Sequence, residues 1–161
     1  MSGFSLWATY TFARISKTEV FTSILIPTDF SPSAWKAMRV GLALAQMYQA
    51  KVSVLHVYPI APSQRGMQQE LFNQLEKVRT NMGTILSDLT QDKQMETTNI
   101  VIAGNVRDTL LDFVNRHEYD LVIMGVNSHG ADNTPGTHTL SVIEQSKSPV
   151  LVVPNNYHIN D

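Results

Sequence analysis

Two stretches of this chain hold residues whose types and spacing can do chemistry. The first is ILIPTDFSPSA, Ile24 to Ala34, in which an apolar run passes through a turn carrying Asp29 and continues into a helix-starting pattern. Parallel α/β sheets bind ligands at the carboxyl ends of their strands, so a carboxylate in such a turn faces the crevice. The second is MGVNSHGADNTPGTHTL, Met124 to Leu140. There Gly125, Gly130 and Gly136 permit close backbone approach, and the amides after Thr137 open a helix whose N-terminus attracts anions, so phosphates would go here. Each stretch also has a plain structural reading. Asp in a strand-to-helix turn bonds its own backbone, and Gly, Asn and Pro build ordinary surface turns.

Other chemistries find little support. The sequence has no G-x-x-x-x-G-K-[ST] and no G-x-G-x-x-G after its first strand, which argues against a P-loop NTPase and a dinucleotide-binding Rossmann domain. The five His residues, at 56, 117, 129, 138 and 158, do not form HExxH, and no close carboxylate cluster completes a metal set. Ser128 and His129 are neighbours, but no G-x-S-x-G elbow surrounds them. His56 lies in an apolar strand and reads as a satisfied interior histidine. His129 and His138 flank the glycines, where either a phosphate contact or no role at all is compatible with their position. Trp35 and Tyr48 read as packing groups. The chain has no Cys, which excludes disulfides, thiol catalysis and Cys-ligated metal, and fits a reducing cytoplasm. A formal net charge of -2 supplies no basic field for nucleic acid or an anionic membrane. No run reaches the roughly 18 apolar residues of a membrane helix.

These residues must be positioned by regular elements, and 161 residues with 43% hydrophobic side chains suit one such domain. From Phe21 onward, short β-branched runs alternate with longer helical patterns, the signature of βαβ units around a parallel sheet. Strands are expected at Ser23–Pro27, Lys51–Val57, Thr98–Ala103, Leu121–Met124 and Val150–Val153. Their near-continuous apolar character, as in VLVV, implies helices on both faces. The first helix is expected to use Ser31 as N-cap with Pro32 after it, and to bury Ala34, Met38, Leu42, Ala45 and Met47. The second spans about Met67 to Leu89. The third opens at Asn105 with Asp108 as a capping-box-like partner, and the fourth begins at Thr137. Residues 1–20 form an N-terminal arm whose alternating Phe4, Leu6, Ala8, Tyr10 and Phe12 read either as an edge strand or as an extension without a role. The domain proper covers 21–155, and 156–161 form a C-terminal tail.

IPTDFS after strand one, VLHV in strand two, VIMG at strand four, and GT followed twelve residues later by PVLVVP together resemble the universal stress protein family. The resemblance covers Phe21 to Asn155. It implies a three-layer sandwich, a five-stranded parallel sheet of order 3-2-1-4-5 with helices on both faces. One branch of that family binds ATP through a G-x2-G-x9-G-[S/T] loop. By resemblance, Pro27, Thr28 and Asp29 would line the nucleoside end, with Asp29 toward the ribose and the Val57 backbone toward the adenine edge. Met124, Gly125, Ser128, His129, Gly130, Gly136, Thr137 and His138 would form the phosphate end. The ligand implied is ATP or another adenine nucleotide, with Mg accompanying bound ATP. The loop departs from the family pattern: Gly125 to Gly136 is two residues shorter, and His138 replaces a small apolar residue. Shortening removes amide donors or changes their aim.

The reading is therefore a cytoplasmic universal stress protein that binds an adenine nucleotide in a stress-response role. The alternative is a dimeric stress-response scaffold that has lost nucleotide binding. No general base, metal carboxylate pair or phosphate-directed Lys or Arg lies in the loop, so slow ATP hydrolysis through a water near His129 is the most it offers. The apolar edge Val150, Leu151, Val152 and Val153 is expected to form a two-fold homodimer, as the resemblance also implies. A signalling receiver would need an acceptor Asp after strand three and a Lys after strand five. Here Ala103-Gly104-Asn105 and Pro154-Asn155-Asn156 stand instead.

Overall fold

Alternation of buried side chains gives the sheet two apolar faces, and the helices between its strands cover both. The computed structural model describes residues 21–60, 66–126 and 137–158. The arm, 1–20, therefore lies outside the described residues. The elements run β1 (Ser23–Pro27), α1 (Pro32–Tyr48), β2 (Lys51–Pro59), α2 (Gln68–Thr90), β3 (Thr97–Gly104), α3 (Val106–Arg116), β4 (Leu121–Gly125), α4 (Thr137–Gln145) and β5 (Val150–Val153). All strand pairs are parallel and the order is β3-β2-β1-β4-β5, the α/β sandwich expected from the sequence.

Ile24, Ile26, Val52, Val54, Leu121 and Ile123 point to the face covered by α1 and α2, where they meet Met38, Leu42, Met82 and Leu86. Their neighbours in sequence, Leu25, Leu55, Val57, Val122 and Met124, point to the other face and pack on Leu110, Phe113 and Val114 of α3 and Val142 of α4. At about 1.5–3 kcal/mol for each fully buried large apolar side chain, this double burial is the main force holding the layers together.

The helix caps follow from local chemistry. The Ser31 hydroxyl accepts the Ala34 amide at 3.3 Å and Pro32 opens α1, while Asn105 Oδ1 accepts the Asp108 amide at 3.1 Å ahead of α3. One expected core position is wrong. Met47 is 67% exposed, because it lies about 200° around the helix from Ala45 and so faces away from the buried stripe. β2 and β3 are also longer than expected, since Tyr58 and Pro59 pair with Ala103 and Gly104. Pro59 is tolerated at that end because its missing N–H would point toward β1, which has already stopped at the Pro27–Leu55 pair.

At the amino ends of the strands, Asp120 ties β4 to β1. Its Oδ2 accepts from the Thr22 amide and hydroxyl at 2.8 and 2.7 Å and from the Ser23 amide and hydroxyl at 2.9 and 3.2 Å. Burial pushes the carboxyl upward, but these four donors outweigh it and hold Asp120 below the usual Asp value. Lys36 on α1 donates to the Asn155 carbonyl, which fixes the segment after β5 against the first helix. No helix among the described residues is long and apolar enough to cross a membrane.

Candidate functional site

β1 and β4 are adjacent, yet the chain leaves β1 toward one side of the sheet and arrives at β4 from the other. The carboxyl ends of these two strands are thus the topological switch point, where open α/β sheets place ligands. Pro27 ends β1 and is buried. Thr28 follows at 7% exposure with its amide on the Leu55 carbonyl at 2.8 Å. Thr28 Oγ1 accepts the Phe30 amide at 3.1 Å, and Asp29 Oδ1 accepts the Ser31 amide at 2.9 Å. Asp29 is exposed at the mouth of the crevice. Its carboxylate therefore builds the turn, as the structural reading of the sequence has it, while remaining at the surface where a ligand would arrive.

The Val57 side chain is buried toward α3 and α4, and the interest lies in its backbone. Lys51 donates to Thr22 and Leu55 accepts from Thr28, so the odd-numbered residues of β2 direct their amide and carbonyl groups toward β1. Val57 lies two residues past the last β1 partner, so by the period-two alternation its polar groups face the space above the end of β1. Asp29, two residues past Pro27, lies at the same end of β1.

Across the switch point, Met124 is buried at 6% exposure and Gly125 ends β4. A Cβ on Gly125 would stand 2.3 Å from the Ser33 carbonyl oxygen, 2.4 Å from its carbon and 2.8 Å from the Ala34 amide nitrogen. The close approach that this glycine allows is therefore that of the first turn of α1. That helix is a neighbour which the glycine alone does not reveal in the sequence. Gly125 also presents its carbonyl to Thr139 Oγ1 at 3.5 Å, which brings the start of α4 to the same end of the sheet. Thr137 begins α4 and His138 is exposed in its first turn. Ser128, His129, Gly130 and Gly136 lie outside the described residues, as does the Thr137 side chain. Pro27, Thr28, Asp29, Val57, Met124 and Gly125 thus converge on one end of the sheet.

Two further residues belong to this neighbourhood. His56 is half-buried with Nδ1 2.8 Å from the Thr28 carbonyl oxygen, and Phe30 packs its ring 4.6 Å from the imidazole. The sequence shows His56 as a satisfied histidine but not its partner. The left-handed backbone of Phe30, φ 62°, has no sequence signal, because non-glycine residues rarely adopt it. Among the described residues, no group of three or more His, Asp or Glu side chains is arranged to hold a metal ion.

Comparison with known proteins agrees with this architecture. The universal stress protein MJ0577 of Methanocaldococcus jannaschii is 28% identical over 157 residues, spanning 83% of this chain and 95% of that protein. Its solved structure superposes with a TM-score of 0.69 over 88% of this chain and 99% of its own. The fold is shared with a universal stress protein in complex with cAMP, at 18% identity and a TM-score of 0.57, covering 86% of this chain and all (100%) of that one. It is shared as well with a universal stress protein family protein of Arabidopsis thaliana with AMP bound, at 16% identity and a TM-score of 0.57, covering 82% and 90% of the two chains. The model of the Universal stress protein family matches residues 21–154, nearly everything beyond the arm, and the chain belongs to that family.

Proposed function

We propose that the crevice above the ends of β1 and β4 binds an adenine nucleotide, and that the protein serves a stress-response or regulatory role through the bound state. In this reading Asp29 accepts hydrogens from the ribose hydroxyls, Val57 offers its backbone amide and carbonyl to the adenine edge, and the connection from Gly125 to Thr137 meets the phosphates. Mg, where ATP carries it, takes its ligands from the phosphates. The observation that supports the proposal is that Asp29, two residues past β1, and the Val57 backbone, two residues past the last β1 partner, lie at the same end of the sheet, in a fold whose neighbours include proteins with AMP and cAMP bound.

Calorimetric titration with AMP, ADP and ATP tests it. At least one nucleotide is expected to bind saturably, and Asp29→Ala is expected to weaken it by about 1–3 kcal/mol, the worth of a charged hydrogen-bond acceptor. No heat with any of the three at millimolar concentration refutes the proposal and favours the scaffold that has lost nucleotide binding.

We also propose a two-fold homodimer through the β5 edge. Leu151 on that edge is 37% exposed, and Leu140 and Ile143 on the preceding helix are 40% and 42% exposed. Large apolar side chains at a strand edge that is unpaired among the described residues favour association. Light scattering at micromolar concentration is expected to give twice the chain mass, and a monomer mass counts against the interface.

A further inference from the structure

The turn that carries Asp29 is held by more than its own bonds. A carbonyl oxygen only accepts, so His56 Nδ1, 2.8 Å from the Thr28 carbonyl, carries the hydrogen and donates it. On the other side of Asp29, Phe30 adopts φ 62°, a region that side chains enter at a cost, and rests its ring 4.6 Å from the same imidazole at an interplanar angle of 38°. Asp29 is thus bracketed by two residues, and one histidine on β2 holds both. His56 is also the direct neighbour of Val57. Strained backbone persists only where its surroundings over-determine it. Starting α1 does not by itself call for that strain, because the Asp29–Ser31 bond and the Ser31 cap already begin the helix.

We infer that His56 is a positioning residue for nucleotide recognition: by locking Thr28 and Phe30 it fixes the Asp29 carboxylate relative to the Val57 backbone, so that ribose and adenine are read at a set separation. This rests on the proposed nucleotide site and assigns it a residue that does not touch the ligand.

AMP titration of the full chain separates the two ideas, using wild type, Asp29→Ala, His56→Phe and His56→Asn. Phe keeps a ring against Phe30 without the donor, whereas Asn places an amide N–H near the position of Nδ1. His56→Phe is expected to weaken AMP about 5- to 10-fold, the effect of one lost hydrogen bond, and His56→Asn to stay within about 3-fold of wild type. Amide exchange at Phe30 and Ser31 should quicken in His56→Phe alone. Wild-type affinity in His56→Phe, alongside a loss in Asp29→Ala, overturns the inference and leaves the nucleotide site standing. A loss in His56→Asn as large as that in His56→Phe, or larger, means that an N–H near Nδ1 does not restore affinity, and likewise overturns it. If wild type binds no AMP, the same series is run with ADP and ATP, and the site and the inference fall together when none of the three binds. Should His56→Phe not fold, nitrogen NMR of wild-type His56 carries the test: Nδ1 must remain protonated and shift on AMP saturation, and an unmoved signal refutes the role.

Discussion

Replacing Gly125 with Ala tests whether β4 and α1 are in contact at backbone distance. The added Cβ would meet three atoms, the Ser33 carbonyl oxygen and carbon and the Ala34 amide nitrogen, at 2.3, 2.4 and 2.8 Å. All three are main chain, so no rotamer change makes room. The first turn of α1 or the end of β4 must move by roughly 1 Å to reach ordinary contact distance near 3.5 Å. Overpacking in a well-packed core costs about 1–3 kcal/mol, and with no flexible side chain to yield, Gly125→Ala belongs at the upper end, about 3 kcal/mol. For a domain of this size that lowers the melting temperature by about 6–12 °C. Urea unfolding monitored by circular dichroism measures the change. Gly66→Ala serves as the control, because a Cβ there meets nothing within 4 Å. Since Ser33 and Ala34 follow closely on Asp29, the displaced turn should also weaken AMP in the folded protein. A Gly125→Ala variant with the wild-type urea midpoint refutes the packing argument.

The Asp120 junction makes stability depend on acid. Its folded value lies below the unfolded value of about 3.9, so its contribution is complete above that pH and is lost as pH falls through the folded value. Asp120→Asn is expected to cost about 1 kcal/mol at pH 7 and to flatten the decline of the urea midpoint below about pH 4, and an unchanged decline removes Asp120 as its source. Met82 is fully buried between α2 and the sheet, so Met82→Ala should lose about 2–5 kcal/mol by urea unfolding, with a loss below 1 kcal/mol contradicting the packing of α2. Leu151→Lys places a charge on the β5 edge and should halve the mass seen by light scattering while leaving AMP affinity unchanged.

The sheet order, both faces of the core and the caps at Ser31 and Asn105 were legible in the sequence because each rests on local pattern or on a strong family resemblance. The misreadings arise where the helical period is not followed, as at Met47, or where a distant partner decides. Met47 is apolar but lies on the outer face of α1. The ends of β2 and β3 depend on how far the two strands run side by side, which neither strand encodes alone. For the candidate site, Asp29 drew attention through its place after a strand, whereas the Val57 backbone, inside β2, entered only through the family resemblance. The neighbour of Gly125 could not be identified, since a glycine shows that something comes close without showing what. Phe30 was the least legible: a left-handed phenylalanine is sustained by a histidine 26 positions away, and neither residue type announces the pairing.

The bare Cα of Gly125 has a consequence for how this chain can change. Because strand and helix abut through main-chain atoms, this one contact beneath the crevice does not depend on the side chains around its mouth, whereas the Asp29 turn does. Substitutions at the rim outside that turn leave the meeting of β4 and α1 in place, provided that one hydrogen in place of a methyl group is kept where β4 ends.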